Sequence, residues 1–351
     1  MDSLTHLFYG AAIAAAIAPA RHRRAALLAG AALNTLPDLD VIPLALFGDP
    51  VAQMTWHRGP THSWLVLPFV AWALWAWFKR RSSRVAQAPQ RWFWVFLVAL
   101  LAHPLLDAFT VYGTQLFWPL PMRPLMWSSL FIVDPLFVLP WLVACVVAWC
   151  ARERPIARHA LVAGIALGVG YVGWSLLAKH LVDREADRAL AAMGLSDAPR
   201  FSVPMPLNTL LWRVVAMTPN GYVEGFRSLP VDRGPMTFHG YASNAQALGE
   251  ARSVPAVQRL LWFNHGFVQA RAIGDALILS DLRMGIEPDY FFRFAVARRE
   301  EGRWLAIAPR QLPAGRNASA MWDTTWHRIW HAPTQAAMRI GQGSPAISAS
   351  K

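Results

Sequence analysis

The chain has 351 residues, 55% of them hydrophobic and only 15% charged, and it carries 18 tryptophans. An average soluble domain has about 25% charged residues, so the composition argues against an ordinary water-soluble protein and for a membrane protein. The formal net charge is +12, and its uneven placement carries information about orientation.

Residues 4–20 and 25–36 are apolar, short and rich in small side chains; they fit either two spans or a re-entrant pair. Ala18-Pro19-Ala20 imitates a signal-peptide cleavage site. A signal peptide opens with a positive region, however, whereas here Asp2 comes first and the arginines follow, so the segment reads as an uncleaved anchor. Residues 65–78, 92–112, 130–150 and 160–178 read as further membrane helices, some shorter than the roughly 20 residues of a straight span. Arg21, Arg23 and Arg24, then Lys79, Arg80, Arg81, Arg84 and Arg91, then Arg152, Arg154 and Arg158 occupy three alternate loops. The positive-inside rule assigns these loops to the cytoplasm. The loops 37–63 and 113–129 hold one arginine each, together with Asp38, Asp40 and Asp49, and belong outside. Six crossings would then leave everything after about residue 180 in the periplasm. Cys145 and Cys150 lie in an apolar run at a spacing that suits neither a CxxC site nor a disulfide, and read as packing residues.

The chain then becomes more polar. A charged helix is expected at about 180–194, followed by hairpins at 212–229 around Pro-Asn-Gly, 267–283 around Gly274-Asp275, and 291–308 around Glu300-Glu301-Gly302. The expected fold is an integral membrane α-helical domain of five to six segments (1–179), a small antiparallel β-rich α+β extramembrane domain (180–340) and a flexible tail (341–351).

Four polar clusters interrupt the apolar half: Thr5-His6, Asp38-Leu39-Asp40, the run His57 to Ser63, and His103 with Asp107. The expected topology puts all four at the outer side at similar depth, although none of these residues set the orientation. Each cluster alone has an ordinary explanation: an interfacial histidine, a turn, a loop. His103 and Asp107 share a helix face, and ionisable groups inside an apolar helix normally serve a function. Together His6, Asp38, Asp40, His57, His62, His103 and Asp107 point to a divalent transition metal, zinc first, with manganese or iron as alternatives. Seven candidates exceed one four-coordinate site, so either some support the others or two ions bind. Such a metal brings the pKa of its water to about 7. Arg58 is a candidate to hold an anionic group or stabilise negative charge. Thr61 and Ser63 are candidates to orient ligands, with Gly59-Pro60 shaping the bend between the two histidines.

The set "DSLTHLFYG", "LPDLD", "HRGPTHS" and "HPLLDAFTVYGTQLFWP" resembles the YdjM-type family of bacterial inner-membrane proteins, in order and spacing, across about residues 1–140. "FIVDPLF" also fits and adds Asp134, while "NTLLWRVV" and "LILSDLRMG" resemble longer members with a C-terminal domain. The resemblance implies a membrane location and a hydrolase-type metal site on the seven His and Asp residues above; it supplies no substrate.

The expectation is therefore a membrane-bound metal-dependent hydrolase whose site lies at the periplasmic membrane boundary, covered or restricted by the C-terminal domain. The position favours membrane lipids as partners and a lipid or lipid-linked ester or phosphoester as substrate. The alternatives are a non-enzymatic envelope protein with a structural metal and a partner-binding C-terminal domain, or a metal or proton transporter. Against transport, no matching polar path runs to the cytoplasmic side. Asp323, His327 and His331 share a stripe with Trp322, Trp326 and Trp330 and read as an amphipathic segment rather than a second metal face. The basic loops lack interleaved aromatics, so no nucleic-acid partner is expected.

Overall fold

The computed structural model describes residues 2–313 and 325–332. By internal contacts the chain divides into two compact units, one of residues 1–48 and 52–174 and one of residues 49–51 and 175–351. The expected tail 341–351, Trp322 and Asp323 lie outside the described residues.

The first unit is helical: α1 (Ser3–Ile17), α2 (Arg23–Thr35), α3 (Val41–Phe47), α4 (Pro50–Trp56), α5 (Leu67–Arg81), α6 (Ser83–Gln87), α7 (Pro89–Ala108), α8 (Pro135–Ala151) and the first part of α9 (Pro155–Ala192). Prolines at the starts of α7, α8 and α9 suit the first helical position, where no partner for the N–H is lost. Among the described residues three helical stretches are long and apolar enough to cross a bilayer: Ala20–Phe47, Pro89–Ala108 and Pro155–Ala192. The helices α1 and α8 are apolar but shorter. The fourth expected segment, 92–112, is thus shifted: the helix starts at Pro89 and stops at Ala108, and Thr110 turns back onto the Asp107 carbonyl.

Helices α1 and α2 cross in backbone contact. A Cβ added at Gly10 would fall 2.1 Å from Asn34 Cβ, and one at Gly30 would fall 2.3 Å from the Gly10 carbonyl oxygen. Small residues allow this approach where lipid offers no hydrophobic drive for association. The core of the unit is built from Ala11, Ala15, Leu106, Phe137 and Trp141 on one side and Ala14, Ala26, Trp92, Phe96 and Leu100 on the other. Cys145 is buried in this core, as expected; Cys150 is exposed, and neither forms a disulfide. The packing role expected of Cys150 is therefore not met within the chain, because five residues along a helix turn it to a different face.

The membrane helix expected at 160–178 and the charged helix expected at 180–194 are one continuous element, the 38-residue α9. No proline or glycine separates Trp174 from Ala192, so nothing stops the helix where its composition changes. Its Ala178, Val182, Ala186 and Ala189 form a stripe packed on Trp212 and Val214 in the second unit.

That unit contains two four-stranded antiparallel sheets. The first is ordered β1 (Arg200–Pro204), β2 (Leu211–Thr218), β3 (Gly221–Ser228), β4 (Phe238–Ala242). After α10 (Ala245–Glu250) and α11 (Pro255–Phe263) come β5 (Val268–Ile273), β6 (Ala276–Asp281), the short pair β7 (Gly285–Ile286) and β8 (Asp289–Tyr290), then β9 (Arg293–Glu300) and β10 (Arg303–Gln311). The second sheet is ordered β10-β9-β6-β5. All three expected hairpins form with two-residue loops, as the pairs Thr218–Gly221, Ile273–Ala276 and Glu300–Arg303 show. Glu301 and Gly302 both have positive φ, +48° and +81°, as a tight hairpin turn demands. The stripe carrying His327 and His331 is helical over 325–330, with Ile329 buried against Met205 and Leu211 while Trp326 and Trp330 are exposed.

Candidate metal centre

Four segments bring the polar clusters together. His6 is one turn into α1, Asp38 and Asp40 lie in a 3-10 turn (Leu36–Asp40) after α2, His57 to His62 follow α4, and His103 and Asp107 occupy the last turns of α7. His62 Nε2 and His103 Nε2 are 2.9 Å apart. Asp38 Oδ1 is 3.4 Å from both nitrogens, and Asp107 Oδ2 is 3.4 Å from His62 and 3.2 Å from His103. A tetrahedral zinc site with bonds of about 2.0–2.1 Å has ligand–ligand edges of roughly 3.3 Å, so this set has the dimensions of a single small cation's shell. All four ligand atoms lie within 4.8 Å of one another.

The hydrogen bonds behind the ligands decide what the facing nitrogens carry. Thr61 Oγ donates to Asp40 Oδ2 at 2.7 Å, so it accepts at 3.0 Å from His62 Nδ1–H. His103 Nδ1–H donates to the Asn34 carbonyl. That carbonyl is open because the amide it would receive in the 3-10 turn belongs to Pro37, which has no N–H. As neutral rings both imidazoles therefore hold their proton at Nδ1 and direct lone pairs at each other and at two carboxylates. Two lone pairs 2.9 Å apart repel unless a proton or a metal ion lies between them. These residues fit a transition-metal ion.

The other expected residues surround this set. His6 stacks on His103 with ring centroids 3.8 Å apart and meets Asp107 Oδ1 at 3.2 Å. Arg58, buried with φ +63°, pairs with the same oxygen at 3.0 Å and donates to Thr110 Oγ at 3.0 Å. Its guanidinium lies 4.8 Å over the Tyr112 ring. It thus balances Asp107 rather than standing at the surface. Asp40 accepts from the Arg58 amide and from Thr61, and lies 2.7 Å from His57 Nδ1. His57 Nε2 stays 4.0 Å from Asp38 Oδ1, so Asp40 and His57 lie beside the four-atom set. Ser63 is turned away: its hydroxyl donates to the Trp118 carbonyl and accepts from the Leu65 amide, anchoring the loop. Asp134 caps α8 through the amides of Leu136 and Phe137 and accepts from Tyr171 at 2.7 Å.

Asn34 is the residue that the motif reading missed. Its side-chain NH2 donates to the Ala99 carbonyl at 2.6 Å, which leaves Oδ1 to accept from His6 Nδ1 at 3.2 Å, while its backbone carbonyl holds His103. The available signal was an asparagine four residues before Asp38 in an apolar helix, one turn from a candidate ligand on the same face.

The basic segments gather at the other ends of these helices. Arg23 donates to the Arg152 carbonyl, Arg24 to that of Trp149 and Arg91 to that of Ile17.

The inner membrane protein YbcI of Escherichia coli (strain K12) is 39% identical over 118 residues, which is 33% of this chain and 60% of that protein. No solved structure matches the chain. Residues 1–181, which include every candidate ligand, match the family described as YdjM inner membrane protein. The chain belongs to the YdjM inner membrane protein family.

Proposed function

We propose that the chain is a multi-pass inner-membrane hydrolase that uses one divalent transition-metal ion, zinc first, on a lipid-proximal ester or phosphoester. The observation that carries this reading is the pair of imidazoles, each bonded through Nδ1, whose Nε2 atoms converge with two carboxylate oxygens. One ion is favoured over two because the Arg58 guanidinium already meets Asp107 Oδ1, where a second cation would sit. His62, His103, Asp38 and Asp107 would hold the ion. When bound, it supplies a water of pKa about 7 and polarises a substrate oxygen.

The protein's own part follows from the contacts. Arg58 fixes the Asp107 carboxylate, and Asn34 and Thr61 fix the two imidazole protons. His57, hydrogen-bonded at Nδ1 to Asp40 and 19% exposed, presents Nε2 at the open edge and can take a proton there. Asp38, 21% exposed, marks the same edge. Leu39, Val41, Ile42 and Phe47 beside it are exposed apolar side chains, which supports a substrate approaching from lipid. The basic segments at the opposite helix ends support a periplasmic site and C-terminal domain by the positive-inside rule. The short helices α1, α5 and α8 complete six crossings in this reading, tilted or thinning the bilayer.

A second reading has its own support: four protein donors already fill a tetrahedral shell, and closed shells are structural. Cobalt substitution separates the two. Cobalt(II) spectra that change on adding a small anion favour the enzyme; a four-coordinate spectrum indifferent to anions favours a structural metal.

A further inference from the structure

In the second unit the outer strands β4 and β5 border a cavity of about 480 Å3, within the roughly 300–1,000 Å3 range of small-ligand sites. Tyr241, Ser243, Asn244, Gln269, Arg271 and Glu287 line it. These groups are held from behind. Tyr290 and Tyr222 hydroxyls lie 2.8 Å apart, and Tyr222 donates to Glu287 Oε2 at 2.7 Å. The other Glu287 oxygen pairs with Arg271. The Tyr241 ring stacks on that of Tyr222 at 5.3 Å. Gln269 is buried and donates to the Ala242 carbonyl, and Asn244 Oδ1 caps α10, turning its NH2 outward.

We propose that this cavity binds a neutral saccharide. Three observations define that chemistry. The carboxylate of Glu287 and the guanidinium of Arg271 balance, so the wall does not select a net charge. Tyr241 supplies an aromatic ring whose negative face attracts the C–H face of a pyranose. Asn244, Arg271 and Glu287 are planar groups whose donors and acceptors match adjacent hydroxyls. An extended peptide added to the β5 edge fits less well. The outward amide of Ala270 is bonded to Ser243 Oγ, and its carbonyl accepts from the Asn244 amide, so the edge is stitched where a new strand would pair. The fixed Tyr222–Glu287–Arg271 chain means little ordering is left for binding.

The test uses the full-length protein in a sugar-free detergent, on an array of neutral hexose and N-acetylhexosamine oligosaccharides, with extended peptides of mixed sequence as the comparison panel. The expected result is saccharide binding that falls at least tenfold in Tyr241→Ala and in Glu287→Gln. The thermal midpoint of each variant is measured alongside, and the milder Tyr241→Phe, which keeps the ring, should retain binding. Absence of saccharide binding by folded wild-type protein, capture of peptides instead, or binding unchanged in folded Tyr241→Ala and Glu287→Gln would each overturn the proposal. Because the cavity and the histidine cluster share no residue, metal content should be the same in all three variants.

Discussion

In the β-sheet unit the deeply buried charges find their opposites within the chain: Arg213 lies 2.5 Å from Glu224, and Arg283 lies 2.7 Å from Asp281. In the helical unit Asp107 meets the Arg58 guanidinium, Asp40 meets His57 and Thr61, and Asp38 and Asp107 both face the Nε2 atoms of His62 and His103, whose Nδ1 atoms bond elsewhere. Buried ion pairs that close on themselves need nothing further, although they add little net stability. A cluster with three carboxylates and converging imidazole nitrogens in a low-dielectric site is suited to take up a cation, a proton or a metal ion. In the proposed function the same residue types thus serve a folding role in one region and a ligand-holding role in the other, and the difference lies in whether the charges cancel.

The largest effect that could break this comparison is loss of the ion. His103→Ala or Asp107→Asn should reduce bound metal from about one per chain to a small fraction of that, since each removes one of four donors; elemental analysis of each variant reads the outcome. The matched substitution in the other unit, Arg213→Ala, should cost about 3–5 kcal/mol of stability by stranding Glu224 while leaving metal content unchanged. Arg58→Ala should do both, destabilising by a similar amount and weakening metal binding, because it strands Asp107. Denaturant or thermal unfolding combined with metal analysis distinguishes the two arginines. A smaller effect is expected at Asn34. Asn34→Leu removes the partner of His6 and should weaken metal affinity about 10–100-fold, measured by competition with a chelator. The smallest is expected at the surface: Asp187→Asn breaks an ion pair with Arg200 in which the aspartate is 59% exposed, and should shift stability by no more than about 1 kcal/mol.

The parts of the molecule that were legible in the sequence are those governed by short-range rules. The hairpin turns at Gly274-Asp275 and Glu301-Gly302 announce themselves through glycines that take positive φ, and the turn at Pro219-Asn220 through two turn-forming residues. His62, His103, Asp38 and Asp107 were legible because ionisable groups in apolar surroundings demand a partner. What separates these four from His6, Asp40 and His57 is a matter of a few ångströms, set by the Gly10–Gly30 helix contact and the left-handed turn at Arg58. No local pattern encodes that distance. Ser63 shows the same limit: a hydroxyl in a polar motif can face the site or the loop behind it, and here the carbonyl of Trp118, 55 residues away, decides. The continuity of α9 was hidden because composition changes at residue 180 while helix propensity does not. Span assignment was blurred for a related reason. Hydropathy marks apolar runs, but the turn at Thr110 and the prolines at the helix starts fix the ends.

In the proposed function the histidine–aspartate cluster holds a metal ion. The most direct test is elemental analysis of full-length protein purified without chelators, followed by the same measurement after stripping and reconstitution with zinc, manganese or iron(II). About one transition-metal ion per chain, absent from His62→Ala and His103→Ala, is the predicted result. Folded wild-type protein that contains no metal and takes up none on reconstitution would contradict the account.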